Sequence, residues 1–174
     1  MRFELQAAKE ILARTPATLD TLLRGLPDSW TLGNEGPETW SPFDVVGHLI
    51  HGETTDWIPR IGHVLRHGEW GTFEPFDRFA HIEISRGKSV DELLDSFRTL
   101  RKKNLDTLDS LQLTESQLAL TGQHPDFGKI TLGQLLSTWV VHDLGHIGQV
   151  VRAMAHQYST EVGPWKAYLR VLGT

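Results

Sequence analysis

Residues 131–156 read TLGQLLSTWVVHDLGHIGQVVRAMAH, and this stretch decides the fold class. Thr131-Leu132-Gly133-Gln134 has the form of a capping box, in which hydroxyl and amide side chains satisfy free amide groups of a first helical turn. No proline follows until after His156, so the pattern predicts one long helix from Leu132 to about His156. At 100° per residue, Leu135, Trp139, His142, His146 and Ala153 fall in one sector of it. Two imidazoles therefore sit in the apolar stripe, where a polar ring without a partner is costly.

Helical spacing continues on either side. Ser89-Val90-Asp91-Glu92 is a second capping box and opens a helix with Leu93, Leu94, Phe97, Leu100, Leu108 and Leu111 inward. Arg101-Lys102-Lys103 reads as the solvated side of that helix. Ser41 is an N-cap, Pro42 fits a first helical position, and Asp44 places a carboxylate where the helix dipole favours it. Val45, Leu49, Gly52 and Ile58 then face inward through about residue 66, with a bend near Pro59. Near the start, Phe3, Ala7, Ala8, Ile11 and Leu12 lead to Leu19, Leu22, Leu23 and Leu26, in a helix kinked or restarted at Pro16.

The connections are long. Residues 27–40 collect Gly, Asn and Pro and read as a loop. Residues 67–87 read as an ordered loop whose Trp70, Phe73, Phe76 and Phe79 must find cover. Thr114-Glu115-Ser116-Gln117 caps a single turn, residues 121–129 read as a loop, and residues 163–172 as a short helix against the bundle. Four long helices and no convincing strand series predict an all-α four-helix bundle, a single domain over residues 1–174.

Composition narrows the function classes. A chain of 174 residues with 39% hydrophobic and 22% charged residues has core enough to fold without a disulfide or structural metal. The net charge of −5 argues against a nucleic-acid partner, and no apolar run is long enough to span a membrane. There is no cysteine, hence no thiolate ligand or cysteine nucleophile, and Met1-Arg2-Phe3-Glu4-Leu5-Gln6 lacks the apolar run of a signal peptide. The expected location is the cytoplasm.

A divalent ion would satisfy both buried imidazoles, since i, i+4 histidines can grip one ion. Taken alone, the pair is equally well read as two rings bonded to backbone or water. A third histidine, His48, follows the apolar Val45 by three and lies beside the small Gly47 and Gly52, while Gly145 and Gly148 thin the last helix nearby. His48, His142 and His146 are thus the candidate ligands. His51 lies about 60° from His48, at the rim or able to orient a ligand. Gln149 is placed to orient water or substrate, or is a buried amide. Glu53 and Asp56 are the nearest acids for a general base, and each is also read as solvated. Asp143 points about 100° off the histidine face, as a surface or interhelical hydrogen-bond partner or a support for a neighbouring histidine.

Trp40-Ser41-Pro42-Phe43-Asp44-Val45-Val46-Gly47-His48-Leu49 and Val141-His142-Asp143-Leu144-Gly145-His146-Ile147-Gly148-Gln149-Val150 together resemble the DinB/YfiT-like superfamily. The resemblance implies an up-up-down-down-type bundle, frequently a homodimer, with a divalent metal on three histidines equivalent to His48, His142 and His146. It also implies a choice of chemistries, because that superfamily includes bacillithiol- or mycothiol-dependent S-transferases, a mycothiol-dependent maleylpyruvate isomerase and metal-dependent hydrolases.

Two functions follow as expectations. In the first, the chain is a metal-dependent enzyme, with zinc or nickel leading among the metals that imidazole suits, acting on a small electrophilic substrate by hydrolysis or S-transfer. Any thiol would be an external low-molecular-weight one. In the second, the ion is passive and the protein is a non-catalytic metal-binding or stress-related interaction protein. A fourth coordination position left open to solvent distinguishes the first from the second.

Overall fold

Helix α1, Leu5–Leu23, runs through Pro16, so of the kink or restart expected there no restart occurs. A proline has no amide to offer the carbonyl four residues back, so the Leu12 carbonyl loses its helical donor. The Nη1 of Arg101 supplies the missing bond to it at 2.8 Å. The structure, a computed structural model, describes residues 2–173.

The second long segment breaks earlier than its proline suggested. Helix α3 spans Pro42–Thr55 and α4 spans Trp57–His67, with the break at Asp56 rather than near Pro59. Breaking there puts Pro59 in the first turn of α4, where a missing N–H leaves no helical carbonyl unpaired. A four-residue helix α2, Asp28–Thr31, lies in the first connection, and α5, His81–Ser85, in the segment read as loop. Helix α6, Val90–Ser110, and helix α8, Leu132–His156, start at the capping boxes predicted, with both reciprocal bonds formed in each. Between them come the single turn α7, Glu115–Leu118, and an antiparallel hairpin of β1, Thr121–His124, and β2, Gly128–Thr131. The hairpin replaces the loop expected over residues 121–129. Its strands are too short and polar to show alternation, but Pro125-Asp126-Phe127 before Gly128 at φ +68° was a readable turn signal. Beyond α8 the chain ends in 3₁₀ turns, Gly163–Tyr168 and Arg170–Leu172, the second of which touches α8.

Helices α1 and α3 each pack against both α6 and α8, which makes a four-helix bundle. The core falls into two apolar clusters. One gathers Leu12, Trp57, Leu108, Leu135 and Trp139, and the other Leu19, Leu49, Leu93, Phe97 and Val150. Between them, on every long helix, lies a polar position. Arg101 of α6 binds Asp143 of α8 through two bonds, at 2.5 and 3.1 Å, and Glu53 of α3 at 2.8 Å, besides Leu12 of α1. Asn104 and the indole of Trp139 complete the bonds to Glu53. Arg101 is 1% exposed, so the solvated reading of the basic run holds for Lys102 and Lys103 only. The guanidinium ties all four long helices at mid-height.

The aromatic connection splits. Phe73 is buried, held by its amide bond to the Gln123 carbonyl of β1, and Phe76 is half-buried, while Trp70 and Phe79 stay exposed. Among the described residues no helix is long and apolar enough to cross a membrane.

Candidate metal centre

The site forms where α3 meets α8 at the level of the polar belt. His48 projects from the buried side of α3, between Val45 and Leu49, and His142 and His146 from one face of α8. Their ring nitrogens converge. His142 Nε2 lies 3.1 Å from His48 Nε2 and 3.1 Å from His146 Nε2, and all three ligand atoms fall within 4.8 Å of one another. Two nitrogens bound to one zinc ion at about 2.0–2.1 Å lie roughly 2.9–3.4 Å apart, from right-angled to tetrahedral coordination, so the two separations at His142 fit.

Hydrogen-bond accounting points the same way. Gln149 Oε1 can only accept, so at 2.9 Å it takes the proton of His146 Nδ1 and leaves the Nε2 lone pair toward the other rings. His142 Nε2 can then donate to one neighbour at most. Two or three lone pairs therefore face each other, an arrangement a cation relieves. The buried Nδ1 atoms of His48 and His142 find no partner among the described residues.

Burial, then the neighbouring His146 and His142, push the His48 pKa down to about 2. Burial and His146 push His142 down to about 3. For His146 burial again lowers the value, opposed by the Gln149 bond. All three rings are neutral at physiological pH, the state in which imidazole binds metal.

The trio opens on a cavity of about 510 Å³. Its walls come from Trp40, Trp57 and Phe76 near the histidines and from His124, Phe127 and Ile130 of the hairpin segment. The family model that describes the DinB superfamily matches residues 11–150. The chain belongs to the DinB superfamily. A solved structure of YfiT from Bacillus subtilis, described as a probable metal-dependent hydrolase with an unusual four-helix bundle topology, matches this DinB-superfamily chain. The TM-score is 0.75 at 23% identity, over 94% of this chain and 90% of that one, so the likeness is one of fold. Comparison with curated proteins finds no match.

The remaining candidates are distributed around this DinB site. His51 is buried against Phe76 at 4.6 Å between ring centroids and stands outside the trio, with burial lowering its pKa. Glu53 is turned into the polar belt, bound to Arg101 and Asn104 rather than aimed at the cavity. Burial pushes its carboxyl up while Arg101 pulls it down. Asp56 lines the cavity and pairs with Arg60, and neither acid is solvated. Gln149 orients a ring rather than reaching the cavity wall. Asp143 takes the interhelical role, bonded to Arg101.

Two residues were missed. His81 of α5, 2% exposed, gives its Nδ1 proton to the Arg78 carbonyl at 2.9 Å and lies 4.8 Å from Trp40. Trp40 in turn stacks on His146 at 6.1 Å and contacts His48 at 4.7 Å. Both lie outside any long helix, where periodicity assigns no face. Gly47 explains how α5 comes so close: a Cβ there would fall 2.2 Å from Ser85 Oγ. Gly145 has the opposite setting, with nothing within 4 Å of a Cβ, so its thinness makes no room for the site.

Proposed function

We propose that His48, His142 and His146 hold one divalent ion, zinc or nickel, and that this DinB-superfamily protein is a metal-dependent enzyme. Its substrate is a small electrophile, processed by hydrolysis or by transfer to an external low-molecular-weight thiol. The observation that carries this reading is the convergence of three neutral imidazoles beside an open cavity with no fourth protein ligand among the described residues. A shell closed by four side chains serves structure, whereas three ligands leave a position for a reacting group.

When bound, the ion supplies Lewis acidity to a group entering from the cavity. The chain's own residues prepare that position. Gln149 holds His146 in the tautomer whose Nε2 faces the trio. Trp57, stacked on Trp139 at 5.5 Å, sets its edge against His142 at 5.2 Å and limits that ring's rotation. Trp40, Trp57 and Phe76 line the inner cavity with apolar surface. The description of YfiT as a probable metal-dependent hydrolase supports the hydrolytic form of the reading. A cytoplasmic homodimer is proposed alongside it, with the exposed Val141, Leu144 and Val151 of α8 as the apolar stripe a second copy would cover.

The test is elemental analysis of protein purified without chelator, followed by assays of stripped and reloaded protein against esters and against electrophiles with each low-molecular-weight thiol. About one ion per chain and turnover that returns with the metal are expected. Full turnover in stripped protein would overturn the enzyme mechanism, and a chain that binds no divalent ion would overturn the site.

A further inference from the structure

Three neutral imidazoles bring no negative charge to a divalent ion, so the loaded site would keep its full positive charge. Three buried acids of α3, its break and α8 are already engaged: Glu53 and Asp143 with Arg101, and Asp56 with Arg60. Four charged residues line the cavity, namely Asp56, Arg60, Arg78 and Asp126. The first two pair with each other. Asp126 stands with its side chain 78% exposed on the β1–β2 turn, 4.0 Å from His124. Arg78 has no carboxylate within 4.0 Å among the described residues.

Arg78 is exposed at the cavity mouth, and its backbone is held in place. Its carbonyl accepts the His81 Nδ1 proton at 2.9 Å, and His81 packs on Trp40, which stacks on His146. Arg78 and His146 line the same cavity. An unpaired cation and a dication facing one cavity repel each other, and a bound anion between them removes the conflict. The planar fork of arginine suits a carboxylate, and about 510 Å³ with aromatic walls suits a small carbon body.

Resting on the metal-site reading above, we propose that the substrate or thiol co-substrate is a carboxylate-bearing small molecule whose carboxylate pairs with Arg78 while its reactive end meets the ion. Arg78 is then a specificity-determining residue at the cavity wall, opposite in role to the histidines.

Calorimetric titration of zinc-loaded protein with short ω-mercapto acids and their matched amides tests this. The acid is expected to bind at least about tenfold more tightly than the amide in the wild type, the contribution of one charge-assisted bond. Arg78→Met should reduce that ratio to about threefold or less with zinc content unchanged, and Arg78→Lys should keep part of it. Circular dichroism of both variants reads their folding, and the lysine variant carries the comparison if the methionine variant unfolds. An undiminished ratio in Arg78→Met, or no preference for acids in the wild type, overturns the inference while leaving the zinc site standing. Wild type that holds no zinc overturns the metal reading and this inference with it.

Discussion

Gln149 determines which nitrogen of His146 faces the trio, because an amide oxygen accepts and does not donate. Gln149→Leu removes that selection and is expected to weaken zinc affinity by about 10–100-fold, read by competition with a chromophoric chelator. His48→Ala and His142→Ala should lose the ion by orders of magnitude, while His51→Ala, whose ring packs on Phe76 outside the trio, should keep it. Retention of zinc by His142→Ala would contradict the ligand assignment. The pH response of the metal-free protein is a residue-scale property too. His142, held down to about 3 by burial and by His146, stays neutral in the folded chain, whereas the unfolded chain takes up its proton below about 6.5. Its contribution to stability is therefore full above that unfolded value and is lost as pH falls toward the folded one. Urea unfolding should show the wild type losing about 1.4 kcal/mol more per pH unit below about 6 than His142→Asn, and equal slopes would contradict it. The comparison with the variant cancels the opposite influence of Glu53 and Asp56, whose carboxyls burial pushes up.

At the level of elements, Arg101 joins all four long helices through one side chain. It bonds the Leu12 carbonyl of α1, Glu53 of α3 and Asp143 of α8 from its place on α6. Burial alone would lower its pKa, but the Asp143 and Glu53 carboxylates outweigh that and keep it charged. Arg101→Met leaves two buried carboxylates without their counter-charge and a proline-freed carbonyl without its donor, and should cost about 3–5 kcal/mol by urea unfolding. Loss of less than about 1 kcal/mol would show the belt to be dispensable. Gly47→Ala offers a second test, because its methyl would collide with Ser85 Oγ and push α5, with His81, off α3. The Ser85→Ala change in the same chain should restore part of the lost melting temperature, since it removes the colliding atom. Arg101 was legible in principle. By the 100° rule it shares a sector with Phe97 and Leu108, but it is followed by two lysines that do face water, and the run as a whole reads as surface. Glu53 and Asp143 likewise fall in inward sectors. Pairing them required knowing which helices are neighbours.

For the molecule as a whole, two apolar clusters on either side of the belt supply the core without help from a metal. Stripped protein should keep its helical circular dichroism at neutral pH, and collapse to random coil on chelation would show the ion to be structural. The sequence by itself determined the four long helices, because capping boxes and apolar periodicity are local and act within a few residues of one another. It also determined that His142 and His146 share a face, since a helix carries its side chains in strict rotation. The resemblance to DinB-like bundles was carried by two short stretches, residues 40–49 and 141–150. Only the tertiary structure decided the rest. The break at Asp56, the hairpin, the placement of His81 and Trp40 and the burial of Arg101 all depend on contacts between segments far apart in the chain. The Nε2 atoms of His48 and His142 meet across 94 residues of sequence, and no periodicity within either helix carries the distance between them. It is set by how α3 and α8 pack, through the apolar clusters and the one guanidinium that binds both.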